Sequence, residues 1–120
     1  MKKFVYLFMT LLLVFLMVSC NSSTPNISNE TTSAIKRSIK IADKYLDYDM
    51  DYETAGKELD KIINSLKNLK NPTHDDESIK ITIMSLDANI LYDQIGDSEY
   101  DEILQLRNEL ADIIGEKTID

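Results

Sequence analysis

The chain has 120 residues, with 13 basic and 21 acidic side chains and a formal net charge of −8. That balance excludes a nucleic-acid ligand, whose phosphates are met by Lys and Arg, and it excludes adsorption to an anionic bilayer by charge alone. The length allows one small domain with one core, and a single cysteine excludes an intrachain disulfide, so stability must come from packing.

The first segment is a leader. Lys2 and Lys3 precede an apolar run from Phe4 to Val18, and the small residue Ser19 follows. A basic n-region, an apolar h-region and a small residue at the cleavage point make a secretory signal. The run is short for a bilayer-spanning helix of roughly 20 apolar residues. The cysteine comes directly after it, in the order Leu16-Met17-Val18-Ser19-Cys20.

This order resembles the lipobox of bacterial lipoproteins, with Met17 where leucine is usual. The resemblance covers only the leader. It implies cleavage before Cys20 by signal peptidase II and a diacylglycerol on the Cys20 thiol. The chain would then be membrane-bound through this N-terminal lipid anchor, on the extracytoplasmic face of a bacterial cell membrane. The competing readings are a plain signal peptide with an incidental cysteine and an uncleaved anchor. Lipidation also accounts for a lone thiol that would otherwise ask for an intermolecular bridge. Loss of residues 1–19 removes two lysines and no acids, taking the net charge from −8 to −10, and it removes Phe4, Phe8 and Phe15. The remainder has no Phe and no Trp, so its core must be Ile and Leu with Tyr as the only aromatic.

Residues 20–32 read as the lipidated cysteine and a flexible tether, because Asn21 to Thr32 is Asn, Ser and Thr with one Pro and almost nothing apolar. The helical domain follows over residues 33–120. Its first predicted helix runs from about Ser33 to Leu46, with Ile35, Ile39, Ala42 and Leu46 on one face. The second runs from about Tyr52 to Leu69, where Tyr52, Ala55, Leu59, Ile62, Leu66 and Leu69 step by three and four until Pro72 forbids continuation. The third, about Glu77 to Ile95, carries two apolar stripes, Ile79/Ile83/Leu86/Ile90 and Met84/Ala88/Leu91/Ile95. A helix apolar over so much of its surface is expected to be the most buried one. The fourth runs from about Glu99 to Ile114, with Ile103, Leu106, Leu110 and Ile113 inward and Gly115 as its stop. Ser98 with Asp101, and Thr73 with Asp76, have the spacing of capping boxes. Short connections make successive helices antiparallel neighbours, so the expected fold is all-α, a four-helix up-down-up-down antiparallel bundle that is monomeric. Ser38-Ile39-Lys40-Ile41 recurs as Ser78-Ile79-Lys80-Ile81, too short a match to define a repeat array.

In that topology the end of the first helix, the start of the second, the end of the third and the start of the fourth share one pole. Tyr45, Tyr48, Tyr52, Tyr92 and Tyr100 gather there with Asp49 and many other acids. Lys36, Arg37, Lys67, Lys70 and Lys117 fall to the opposite, tethered pole. Tyrosine gives large contact area at low entropic cost, so the Tyr/acid pole is the candidate partner-binding surface. Two plainer explanations stand beside it: acids at helix starts answer the helix dipole, and tyrosines at helix ends bury the ring while keeping the hydroxyl wet. Asp47, Asp49 and Asp51 alternate like a calcium loop, with Glu58 at its twelfth position, but Tyr52 stands where the loop needs Gly. His74 is the only histidine and has no cysteine or second histidine to share a metal, and Gly56-Lys57 lacks the upstream glycine of a phosphate loop.

The sequence therefore describes a lipid-anchored cell-envelope protein that binds a protein or peptide partner, needs no cofactor and is not an enzyme. The alternatives are a small-ligand or cation-binding helical domain, with calcium the candidate, and a purely structural envelope component.

Overall fold

The structure, a computed structural model, describes residues 25–94 and 99–120. The leader over 1–19, Cys20, and Ser98, expected from its spacing to cap the fourth helix, with Ile95 and Gly96, lie outside the described residues. The described residues form four helices, α1 Asn29–Leu46, α2 Tyr52–Lys67, α3 His74–Gln94 and α4 Tyr100–Ile113, and no strand. None of these helices is long and apolar enough to cross a membrane.

α1 begins four residues earlier than the periodicity predicts, inside the stretch read as tether. Its start is set by polar chemistry that an apolar pattern does not register. Ser28 is the N-cap, its hydroxyl accepting from the Thr31 amide. The Ser28 amide in turn donates to Asp76 Oδ1 at 2.9 Å, the Asn26 amide to Asp75 at 2.8 Å, and the Thr73 hydroxyl to the Asn26 carbonyl at 2.6 Å. These bonds staple residues 26–28 to the first turn of α3, and Thr31 is fully buried. Asp76 is also half of the capping box expected with Thr73: the Asp76 amide donates to Thr73 Oγ1, and the Thr73 amide to Asp76 Oδ2, each at 3.0 Å. Burial pushes the Asp76 carboxyl upward, but the bonds from Ser28, Thr73 and Thr31 outweigh it and hold it below the usual carboxylate range.

The core is one cluster of Ile and Leu with a few Ala. Ile35, Leu59, Ile62, Ile83, Leu86, Ile90, Ile103 and Leu110 are fully enclosed and come from all four helices. α1 and α3 each pack against α2 and α4, α1 also meets α3, and α2 and α4 do not touch. This arrangement covers α3 on its inner side and flanks only. Its Ile79/Ile83/Leu86/Ile90 stripe is buried as expected, but the second stripe is not: Met84 and Leu91 are exposed, and Ile81 beside them is 60 % exposed. The apolar content of α3 implies burial all round, yet among the described residues no fifth element lies over its outer face. The twin tetrapeptides diverge for the same reason, since Ile41 is buried in the core while Ile81 faces out.

Beyond α4 the chain turns back on itself. Gly115 adopts φ +70, its amide bonds the Asp112 carbonyl, and the Glu116 amide bonds the Ala111 carbonyl. This is a Schellman stop with glycine in the left-handed position. The reversed tail is tied down by two bonds between Asn108 and the backbone of Ile119. Lys117 therefore lies back along α4 instead of extending beyond its end. Its carbonyl accepts from Arg107 at 2.7 Å. Arg107 itself is buried and forks onto both oxygens of Asp43 at 2.8 and 3.2 Å, joining α1, α4 and the tail. The bond and charge of Asp43, against an opposing desolvation, raise the Arg107 guanidinium above its ordinary value.

Candidate functional site

The last turn of α1 decides where the tyrosines point. Asp47 caps the helix, the Tyr48 amide bonds the Tyr45 carbonyl, and the Asp49 amide bonds the Lys44 carbonyl at 2.8 Å. This is the hydrogen-bond pattern of the Gly115 stop, but the left-handed position is held by tyrosine, at φ 62. An L-residue pays about 1–2 kcal/mol for that conformation, and for a bulky side chain it is an outlier. The ring recovers nothing by packing, because Tyr48 is 91 % exposed. Asp51 then caps α2, its Oδ1 accepting from the Thr54 amide at 2.7 Å. The side-chain and backbone bonds of Thr54 keep the Asp51 carboxyl below its usual range.

Tyr45, Tyr48, Met50, Asp51, Tyr52, Asp93 and Tyr100 line one cleft of about 520 Å³ at this pole. Four of the five tyrosines expected at this pole line the cleft. Tyr92 is half-exposed on α3 and is not part of the cleft wall, and Asp49 is exposed beside it without lining it. Tyr45 needs correcting as a free contact residue, because it is only 7 % exposed and belongs to the core. Its position continues the inward Ile41/Ala42 face of α1, so the ring packs inside and only the hydroxyl reaches the cleft, where it donates to Asp93 Oδ2. Asp93, a negative charge near a helix C-terminus, finds its compensation in that hydroxyl and in the Glu99 amide, which donates to Oδ1 at 3.3 Å.

The four acids of the calcium-loop pattern are not brought together. Asp47 and Asp51 cap different helices. Glu58 lies on α2 with Lys61 at 3.2 Å. No three His, Cys, Asp or Glu side chains among the described residues are grouped to hold a metal ion. His74 is the exposed first residue of α3 and not a loop residue.

A second concavity, about 580 Å³, runs between α2 and α3. It mixes apolar Met84 and Leu91 with Lys57, Lys67, Asp60 and Asp87, so it selects no single sign of ligand charge. Burial, the nearby charge of Asp60 and a hydrogen bond with Asp60 push Asp87 up to about 6. A Cβ at position 56 would lie 3.7 Å from Asp87 Oδ1, an ordinary van der Waals contact, so this carboxyl does not require glycine beside it. Sequence reading missed the Asp60–Asp87 pair and the Asp43–Arg107 fork. Arg107 had a readable signal, standing four residues after Ile103 and three before Leu110 on the inward face of α4. The carboxyl pair had none, because its two residues sit on different helices. No protein-family model, no curated protein and no solved structure matches the chain.

Proposed function

We propose that the chain is a lipid-anchored envelope protein, held on the extracytoplasmic face of a bacterial membrane through Cys20, whose monomeric bundle binds a protein or peptide partner at the Tyr/acid pole and catalyses no reaction. The observation that carries the binding reading is Tyr48. A tyrosine is held in a left-handed position that glycine fills in the sister motif of the same domain, and its ring is left in solvent. Strain kept where packing gains nothing is a pointer to function, and exposed tyrosine is the residue type most suited to contact.

The bundle is read as up-down-up-down. Bonds between the first turns of α1 and α3, Ser28 to Asp76, and between their last turns, Tyr45 to Asp93, support the parallel placement of these two that the topology requires. Four residues lie between Cys20 and Pro25, and the five steps reach at most about 18 Å. With Asn26 and Ser28 stapled to α3, a lipid on Cys20 would keep the α1/α3 starting turns close to the bilayer. α1 has 18 residues, or about 27 Å at 1.5 Å per residue, and that length would carry the Tyr cleft away from the membrane.

The test has two arms. Mass spectrometry of the processed N-terminus should show a lipid-modified Cys20, and Cys20→Ala should release or misprocess the chain; an unmodified N-terminus elsewhere overturns the anchor. Capture from the native envelope with the lipidated protein as bait should retain a discrete partner that Tyr48→Ala or Asp49→Lys loses and that Lys67→Ala and Lys70→Ala keep. The reverse pattern would move binding to the basic pole.

A further inference from the structure

Resting on the reading of this pole as a binding surface, we infer that its cleft takes an organic cation, the guanidinium of an arginine side chain or a quaternary ammonium, as the anchor of whatever binds there.

The lining carries the argument. The phenol groups of Tyr48, Tyr52 and Tyr100, the hydroxyl of the core residue Tyr45, the thioether of Met50 and the carboxyls of Asp51 and Asp93 line one cleft, and no Lys, Arg or His lines it among the described residues. Aromatic faces are the negative part of the ring quadrupole and attract a cation placed over them. Both carboxylates add the same sign. An anionic ligand would be repelled by the two carboxylates, and a neutral one would strip water from them without replacing it.

The acceptors are arranged but not exhausted. A carboxylate offers about four lone-pair sites. Asp93 uses one on the Tyr45 hydroxyl and one on the Glu99 amide, while Asp51 gives Oδ1 to the Thr54 amide. The bond to Tyr45, a core residue, fixes Asp93 in place before any ligand arrives. A divalent metal is poorly served here, since it asks for six or more oxygen ligands, and two carboxylates set among ring faces do not supply them. A diffuse organic charge asks for ring faces and one or two acceptors. The 520 Å³ of space exceeds what one side chain fills and falls within the ordinary range of small-molecule sites.

The two sources of such a charge are separated by the probes. The full chain in detergent, isotope-labelled, is titrated with N-acetyl-arginine amide, with tetramethylammonium, and with N-acetyl-aspartate amide as the anionic control, following the ring resonances of Tyr48, Tyr52 and Tyr100. The expected result is saturable shifts with at least one cation, in the range of about 1 mM for so small a probe, and none with the anion. Preference for the arginine derivative assigns a peptide side chain; preference for tetramethylammonium assigns a free or headgroup ammonium. Asp93→Asn, which keeps an acceptor for Tyr45, and Tyr100→Leu should each weaken binding about fivefold with an unchanged helical spectrum.

Shifts that stay linear to roughly 100 mM, or that are equal for cation and anion, overturn the inference. The binding surface itself is judged separately. A partner whose capture depends on Tyr48 but which neither cation displaces would leave the surface reading standing and remove the cation. A capture indifferent to Tyr48 and Asp49 would remove the surface, whatever the titration shows.

Discussion

Replacing Tyr48 by glycine should make the domain more stable. The α1 and α4 stops have the same two backbone bonds, and they differ in the residue at the left-handed position, Tyr48 at φ 62 and Gly115 at φ +70. Removing the side chain relieves about 1–2 kcal/mol of left-handed strain. Against this, glycine adds unfolded-state entropy worth about 0.5–1 kcal/mol. Almost no burial is lost, because the tyrosine is 91 % exposed. The net gain is about 0.5–1 kcal/mol, and at about 4–8 °C per kcal/mol for a domain of this size the melting point should rise by roughly 2–8 °C. Tyr48→Ala keeps the strain and should leave stability near wild type. Thermal and urea unfolding followed by circular dichroism at 222 nm reads both. A Tyr48→Gly variant less stable than wild type would mean that the ring packs or that the turn is not left-handed, and the argument for a functional tyrosine would lose its basis.

Asp87 sets a pH dependence. Its carboxyl is raised from 3.8 to about 6, so the folded state binds a proton more tightly than the unfolded chain; stability is full below about pH 4 on this account and falls as pH rises through 6. The shift amounts to about 3 kcal/mol before solvent screening, and about 1 kcal/mol is expected for a half-buried group. Asp76, lowered in the folded state, acts oppositely and withdraws its contribution as pH falls below 3.8. The melting temperature should therefore peak near pH 4–5, and Asp87→Asn should raise it at pH 7.5 and flatten the decline; an unchanged profile refutes the raised Asp87 carboxyl. Arg107→Met should cost about 1–3 kcal/mol, since it orphans Asp43 and the Lys117 carbonyl, and a neutral result by urea unfolding would count against the fork. Ser38 is buried with no hydrogen-bond partner for its Oγ among the described residues, so Ser38→Ala should be neutral or stabilising by up to about 1 kcal/mol. A clear loss in the same assay would show that the hydroxyl is bonded.

What was legible in the sequence was what apolar spacing encodes. Leu59, Ile62 and Leu66 on α2, or Ile83, Leu86 and Ile90 on α3, stand at intervals that only a helix puts on one side, and all six are buried. The Thr73/Asp76 box was readable because both halves lie within four residues. The start of α1 was not readable: Ser28 and Thr31 are polar, and their ordering depends on Asp76, 48 residues beyond Ser28. The second stripe of α3 misled because hydrophobicity records a willingness to be covered, not the presence of a cover. At the candidate site, chain order brought Tyr45, Tyr48, Tyr52 and Tyr100 to one pole, but it could not separate the tyrosine that turns into the core from the one that stands in solvent. That distinction rests on the left-handed backbone at residue 48, where sequence preference would have put glycine.

The central claim is that the partner is met at the Tyr pole. Its most direct test is site-specific photo-crosslinking in the native envelope, with a photoreactive amino acid placed in turn at Tyr48, Tyr100, Lys67 and Lys70 of the full chain. A discrete adduct from the Tyr48 and Tyr100 positions, with none from Lys67 and Lys70, is the predicted result. Adducts from the lysine positions alone would contradict it.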